Sequence, residues 1–511
     1  MSQSTTRSLP DKYYGEGGIH RVPLWRVAGF ALNNTATNMY MMLMNFVAYY
    51  LTGFVGVAVV TASSFAMFMR IWDGVTDPVI GFMVDKTNGR FGKNRPFMVT
   101  GQIILCVTSF ILFHFTNKVP EGLRFPFFIV VAAIYYIGYT FQCVVTKSAQ
   151  TCLTNDPKQR PLFTMFDGAY NTILFSGMAM VFTKIATQNG GFYEQATWDK
   201  MWLITAGISA LFTIIAVISI APKDRTEFYG TGKPVKVGFK DYWDTIKNNR
   251  AIQMLIVSAS SDKLASAMRT STIYIVLFGL IAGNYGVYGI MTGMTAIPSA
   301  IICMVFVGGL ATTLGQRKAM LIGSWGGIVL NVIMIALWIF GDPTTMSNAQ
   351  GGLNMGFFTI AYIVLTVAIA GFQGISGNIV IPMTADCADY EVYRSGKYVP
   401  GLMGTLFSLV DKLISSFAPL LTGVMLAAIG FKNKLPDANT TMAMLNDGVS
   451  GFDGVNVGAI MPVALFLAFG SVIIGLICNI VALKFYPLTK EYMAEIQDEI
   501  VRIKEAAMKE Q

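Results

Sequence analysis

Apolar residues fall in long runs along this chain, not in the short alternations of strands or the one-sided stripes of surface helices. The runs lie at 27-50, 57-84, 97-116, 125-148, 165-187, 201-221, 252-280, 286-310, 319-341, 353-383, 399-429 and 456-484. A helix of about 20 residues crosses a hydrocarbon core of about 30 Å, and each run is long enough. The pattern predicts an all-α membrane protein with about twelve transmembrane helices. The longest polar interruption, "APKDRTEFYGTGKPVKVGFKDYWDTIKNNR", divides the chain into halves of about six spans each. The expected organisation is therefore an N-terminal segment 1-25, a first half 26-221, a central loop 222-251, a second half 252-484 and a C-terminal segment 485-511.

Composition supports this reading. The chain has 511 residues, 54% of them hydrophobic and 13% charged. Its mean hydropathy of +0.54 lies well outside the soluble range. The net charge of +8 would suit a nucleic-acid partner in a soluble protein. Here it follows from the placement of Lys and Arg in alternate loops. Lys86, Arg90, Lys93 and Arg95 crowd the loop after the second span, and Lys223, Arg225, Lys233, Lys236, Lys240, Lys247 and Arg250 fill the central loop. The first, seventh and ninth connections carry neither residue type. Both termini are therefore expected in the cytoplasm. The polar opening, with Asp11, Lys12, Glu16 and Arg21, lacks the apolar core and cleavage site of a signal peptide, so none is expected.

Little points to metal or covalent chemistry. Cys106, Cys143, Cys152, Cys303, Cys387 and Cys478 lie within or beside apolar runs without paired spacing, which favours neither disulfides nor zinc. His20 and His114 are too few for a metal site and read as interfacial residues. "GTGKP" lacks the spacing and the preceding strand of a phosphate loop. No cofactor is expected. An enzyme would need a nucleophile, base or metal constellation, and neither "GxSxG" nor "HExxH" occurs. A sensor would need a large soluble output domain, which a central loop of about 30 residues does not supply.

A weak internal repeat points to transport. "GFMVDKTNGRFGKNRP" after the second span has a degraded counterpart in "GGLATTLGQRKAM" after the eighth. Parallel halves of this kind imply the major facilitator architecture, with a substrate cavity between them. The last stretch, "KFYPLTKEYMAEIQDEIVRIKEAAMKEQ", reads as a charged amphipathic helix on the membrane surface or on cytoplasmic loops.

Ionisable residues inside spans are costly and mark function by default. In "RIWDGVTDPVIGFMVDKTNGRFGKNRP", Asp73 and Asp77 lie four apart, on one helix face and about 6 Å from each other. Two ionised carboxylates there repel, and each is desolvated. A bound Na⁺ or one proton relieves both penalties. Thr76 offers a further oxygen, and Gly74, Pro78 and Gly81 loosen the helix. The alternative is a structural network in which the pair salt-bridges to Arg70 or Lys412.

That stretch resembles the signature of the glycoside-pentoside-hexuronide:cation symporters, the melibiose permease-like family of the major facilitator superfamily. "MTADCADYEVYRSGKYVPGLMGTLFSLVDKL" and "KFYPLTKEYMAEI" resemble later segments of the same family, so the likeness covers almost the whole chain. The resemblance implies a cation site of Asp73 and Asp77 with Thr140 adding an oxygen and Lys412 nearby; Thr76 joins the candidate site on its own chemistry, and Asp411 beside Lys412 joins it as a coupling candidate. An asparagine stands in the family's best-known Na⁺ user where this chain has Thr76, so Na⁺, Li⁺ and H⁺ all remain open.

The substrate side departs from the family. Thr37 and Cys143 occupy positions where melibiose-carrying members have aspartates, so a melibiose-type galactoside is not expected. Asn34, Asn38, Gln142 and Gln373 remain as partners for hydroxyls, with Asn33, Asn45 and Thr146 nearby; equally, these amides tie helices together. Lys147 and Arg269 would attract a carboxylate-bearing sugar if they face the cavity; alternatively Lys147 pairs with Asp167, which stands near an expected family arginine. Asp386, Asp389 and Glu391, with Arg394 and Lys397, read as an inner gate closing on the basic loop of Arg95, or as a purely topological charge cluster.

The leading expectation is a cation-coupled sugar, glycoside or hexuronide symporter. It works on a small-molecule substrate and a monovalent cation in the cell membrane, without nucleic acid and as a monomer. The rival transporter reading is a cation-coupled carrier of lysolipid or another organic solute.

Overall fold

The computed structural model describes residues 21–87, 89–154, 159–225, 247–348, 350–395, 410, 412–447, 452–489, 491–493, 495–496 and 499. Helices overlap every apolar run. They are α1 (Leu24–Met44), α2 (Val59–Lys86), α3 (Arg95–Phe115), α4 (Glu121–Ser148), α5 (Arg160–Gln188), α6 (Gln195–Ile220), α7 (Arg250–Ala267), α8 (Tyr285–Leu314), α9 (Gln316–Phe340), α10 (Phe357–Ser395), α11 (Phe417–Ala428) and α12 (Val457–Phe485). Among the described residues, 7 helices are long and apolar enough to cross a membrane, or up to 8 if one bent pair counts as a span. That pair is α7 and its second limb Ser271–Ile281, which meet at 49°. This is an integral membrane protein. On α6 the outward side chains Leu203, Leu211, Ile214 and Ile218 are exposed, which suits a lipid-facing surface and no aqueous one.

Two features depart from an unbroken run. The first span stops being regular at Met44; a short helix, Val47–Tyr50, and a wide turn, Leu51–Val55, complete it. Conversely, α10 continues to Ser395, beyond its apolar run, and carries the acidic cluster on regular helix. The prediction that Gly74, Pro78 and Gly81 loosen α2 is not met by a break: the helix is continuous from Val59 to Lys86.

The chain divides into two compact units, and the divisions cut α2 between Gly74 and Val75 and α5 between Met178 and Ala179. The first unit contains Met1–Met44, Val75–Met178 and Trp198–Lys233. Its core joins Val27 and Phe30 of α1, Ile80 and Val84 of α2, Met98 of α3, Phe141 and Val145 of α4, Phe163 of α5, and Ala216 and Ile220 of α6. Close packing of α3 on α4 depends on small residues: a Cβ on Gly101 would stand 3.0 Å from the Gly138 carbonyl. Polar glue supplements it, because Gln102 accepts from Ser209 and Thr213 at 3.0 and 3.1 Å and donates to Tyr40 at 3.3 Å.

The second unit contains Asn45–Gly74, Ala179–Thr197 and Pro234–Gln511. One core cluster gathers Ile252 and Leu255 of α7, Met320 of α9, Ile375, Ile379 and Met383 of α10 and Leu483 of α12. Tyr486, Leu488 and Ile496, after α12, join the same cluster, so the chain beyond the last span packs on this unit.

Candidate functional site

The aspartates of α2 sit on one turn of a regular helix. Lys412 donates to Asp73 Oδ2 at 3.2 Å within the second unit, with the Asp73 side chain 14% exposed. Arg70 turns instead to the Ser415 carbonyl at 3.3 Å. Thr76 is buried, and its hydroxyl lies 3.2 Å from that of Thr140 in the first unit. Thr140 also reaches the Tyr136 carbonyl at 2.9 Å, and either hydroxyl can donate to the other. Asp73, Thr76 and Asp77 thus follow one another along a continuous helix, and carboxylate and hydroxyl oxygens are the donor types a hard cation takes. Asp411 lies outside the described residues.

In the first unit, α1 and α5 meet along two parallel rungs. Asn34 donates to Asp167 Oδ1 at 2.8 Å, and Asn38 donates to Asn171 Oδ1 at 2.8 Å. The other residues anticipated for substrate have local surroundings of their own. Thr37 is buried and donates to the Asn33 carbonyl of its own helix at 2.9 Å. Gln142 is fully buried and donates to the Met98 carbonyl at 2.7 Å, tying α4 to α3. Asn33 donates to Thr146 at 2.8 Å. Cys143 is partly buried, and none of the six cysteines forms a disulfide. The side chain of Lys147 lies outside the described residues.

In the second unit, Arg269 stands at the bend between α7 and its second limb. Nε donates to the Ala468 carbonyl, Nη1 to Gln373 Oε1 at 3.3 Å and Nη2 to Asn331 Oδ1 at 3.1 Å. The Phe469 ring lies 5.8 Å from the guanidinium. All three acceptors are neutral, and no carboxylate among the described residues lies within ion-pair distance. The spacing of charged residues gave no sign of Asn331, because its role arises only where α9 meets the bend.

The charged loops form one tight cage in each unit. Asp224, fully buried, accepts the backbone N–H groups of Lys93 (3.2 Å), Asn94 (3.1 Å) and Arg95 (2.9 Å) and the Asn94 side chain (2.9 Å). Arg95 Nε completes the cage at 3.4 Å. Gly92 has φ +86, and a Cβ there would collide with the Asp224 carboxylate. Nearby, burial first and the Asp224 charge second push the Cys152 thiol up to about 12. In the second unit, buried Glu391 accepts from Arg394 at 2.6 Å and from Asn249 at 2.9 Å, while Asn249 Oδ1 caps α7 by accepting from Ile252 N–H at 3.0 Å. Asp386 is half-buried on the same helix. The side chain of Asp389, and all of Lys397, lie outside the described residues. His114 pairs with Asp199 at 3.0 Å, and His20 lies outside them.

Comparison with known proteins shows the family. The family model MFS/sugar transport protein matches residues 29–481. The glucuronide carrier protein homolog of Escherichia coli (strain K12) is 22% identical over 484 residues, covering 93% of this chain and 95% of that one. The isoprimeverose transporter of Lactiplantibacillus pentosus is 24% identical over 425 residues, covering 81% of this chain and 82% of the other. Among solved structures, the nucleoside transporter NupG superposes with a TM-score of 0.55 at 12% identity, covering 90% of this chain and 100% of that one. At that identity it shows the fold alone.

Proposed function

Because the chain belongs to the MFS/sugar transport protein family, and so is a transporter and no enzyme, we propose that it is a cation-coupled symporter importing a sugar, glycoside or hexuronide by alternating access. The observation that carries the coupling is the α2 turn with Asp73, Thr76 and Asp77, where Asp73 already holds the Lys412 ammonium at 3.2 Å. A Na⁺ or proton arriving at this turn competes with Lys412 for the same carboxylate. Its binding releases Lys412, and the freed helix end favours the sugar-binding arrangement. By linkage, sugar then tightens cation binding by the same factor. Entry of one positive charge is worth about 2.3 kcal/mol per 100 mV, enough for accumulation of roughly tens-fold.

The relatives' names, a glucuronide carrier homolog and an isoprimeverose transporter, support a sugar as the solute. Arg269 favours a sugar bearing a carboxylate. A guanidinium inside the membrane domain with only neutral acceptors retains an unneutralised charge, and buried charges are ordinarily paired. A uronic-acid group supplies the missing partner. The protein works in the cell membrane with both termini cytoplasmic, which the basic loops support, and needs no cofactor beyond its coupling ion.

The test is binding of labelled methyl glucuronide and isoprimeverose to purified protein, with NaCl replaced by choline chloride at two pH values. Sugar affinity should rise at least tenfold with Na⁺ or at the lower pH, and the rise should vanish in Asp73→Asn and Asp77→Asn. Sugar affinity indifferent to both cations would defeat the coupling.

A further inference from the structure

The two rungs between α1 and α5 are built alike except for one charge. Asn34 and Asn38 lie four apart on α1, and Asp167 and Asn171 lie four apart on α5, so each pair shares a helix face. The rungs match in length, 2.8 Å each. The Asn38–Asn171 rung shows that two neutral amides suffice to tie these helices together at this spacing. Asp167 therefore carries a negative charge that the tie does not need. No Lys or Arg among the described residues neutralises it: its partners are Asn34 and Asn171. Such a charge within a span is costly unless it is used. Asn34 occupies one of about four lone-pair sites of the carboxylate, and the half-buried side chain leaves others open.

Resting on the sugar-symport reading above, we infer that Asp167, bracketed by Asn34 and Asn171, accepts hydrogen bonds from neighbouring hydroxyls of the transported sugar and sets its specificity. A carboxylate suits this task because its two oxygens accept from adjacent hydroxyls at once, and each such bond is charge-assisted. The amides fix its orientation before the sugar arrives, so little ordering is left for the binding step. The asparagine of the neighbouring rung, able both to donate and to accept, serves hydroxyls further along the ring. Specificity then has a plain origin: a sugar lacking the contacted hydroxyl leaves a desolvated carboxylate without its partner.

The experiment uses the full-length protein in proteoliposomes with labelled methyl glucuronide, isoprimeverose, lactose and xylose, followed by monodeoxy analogues of whichever sugar wild type moves. Asp167→Asn keeps the shape and converts the rung into its neutral neighbour's chemistry, so a merely structural tie survives it. The inference requires KM to rise at least tenfold in Asp167→Asn with the maximal rate within about twofold. It also requires one monodeoxy analogue for which wild type and variant have equal KM. Asp167→Glu, which retains the charge on a longer arm, should shift the ranking of deoxy analogues, and this arm decides the matter if the Asn variant does not fold. A KM within twofold of wild type in Asp167→Asn, or an unchanged ranking in Asp167→Glu, overturns the inference while sugar transport stands. If wild type moves none of the sugars, the sugar-symport reading itself falls and the inference with it.

Discussion

Asp437 supplies a sharp energetic prediction. It lies in the loop between α11 and α12, outside the spans, and is 7% exposed. Its two oxygens accept the Phe192 N–H at 2.8 and 3.0 Å, and Oδ1 accepts the N–H of Ala438 at 2.6 Å. Gly191, at φ +105, brings its backbone so close that a Cβ would overlap the carboxylate. Around it, Tyr49 donates to the Pro436 carbonyl at 2.9 Å, and Tyr193 both donates to Leu435 O at 3.0 Å and accepts its N–H at 2.9 Å. Asp437→Ala removes the acceptor and strands two buried N–H groups at about 1–3 kcal/mol each. A local loss of about 2 kcal/mol, the low end, already converts to roughly thirtyfold faster opening. Hydrogen exchange on peptides spanning Gly190 to Tyr193 and Pro436 to Thr440 measures it directly. At least thirtyfold faster exchange, confined to these segments, is expected. Exchange within threefold of wild type would refute the reasoning. The pH dependence has a sign as well. Burial raises the carboxyl of Asp437 above the ordinary carboxylate range, against the lowering effect of its backbone donors and Lys434. The folded form therefore binds a proton that the unfolded form has already lost. Stability contributed by this group falls as pH rises from the ordinary carboxylate value through the raised one, then levels off. In Asp437→Ala that slope should disappear.

Other perturbations follow from the same geometry. Gly92→Ala places a side chain at a positive φ and against Asp224, so it should lower the melting temperature by several degrees, whereas Gly89→Ala, with open space around it, should change little. Cys152, buried and with its thiol raised by burial first and the Asp224 charge second, should react with iodoacetamide more slowly than an ordinary exposed thiol, and Asp224→Asn, by removing a neighbouring negative charge, should speed the reaction; an unchanged rate would refute the influence of Asp224. Glu391→Gln should weaken both the Arg394 contact and the Asn249 bond beneath the α7 cap, by about 1–3 kcal/mol, detectable as earlier thermal unfolding; unchanged unfolding would refute the account of that cage. Lys412→Ala should leave Asp73 without its ammonium and weaken the cation dependence of sugar affinity, and a dependence equal to wild type would remove Lys412 from the coupling.

The spans were legible because a helix that faces lipid must be apolar along its whole length, and that demand is written locally. Their interruptions were less legible. The bend after Ala267 falls at Met268-Arg269-Thr270, where neither Gly nor Pro announces it, because the break is held by Arg269 reaching Ala468, Gln373 and Asn331 from three other segments. The α2 aspartates stood out as charges in an apolar run, and Lys412 was an anticipated partner. Asp224 did not stand out, since it lies in a polar stretch among many charges; its burial comes from the backbone of residues 93–95, folded over it some 130 positions away. Gln142 and Thr37 illustrate the converse. Their polarity marked them for substrate, yet Thr37 bonds back to the Asn33 carbonyl of its own helix, and Gln142 donates to the Met98 carbonyl of another helix, which local pattern does not show. Asp167 was visible as a charge, but its partnership with Asn34 depends on the register of α5 against α1.

The central claim, that a cation at the α2 turn drives sugar across the membrane, is tested most directly by uptake into proteoliposomes under an imposed inward Na⁺ or proton gradient. Labelled methyl glucuronide, isoprimeverose, lactose and xylose would be compared for wild type, Asp73→Asn and Asp77→Asn. The account predicts gradient-driven accumulation of at least one sugar by wild type and its loss in both variants, with equilibrium sugar binding retained. Accumulation that persists in both variants, or no sugar movement under either gradient, would contradict it.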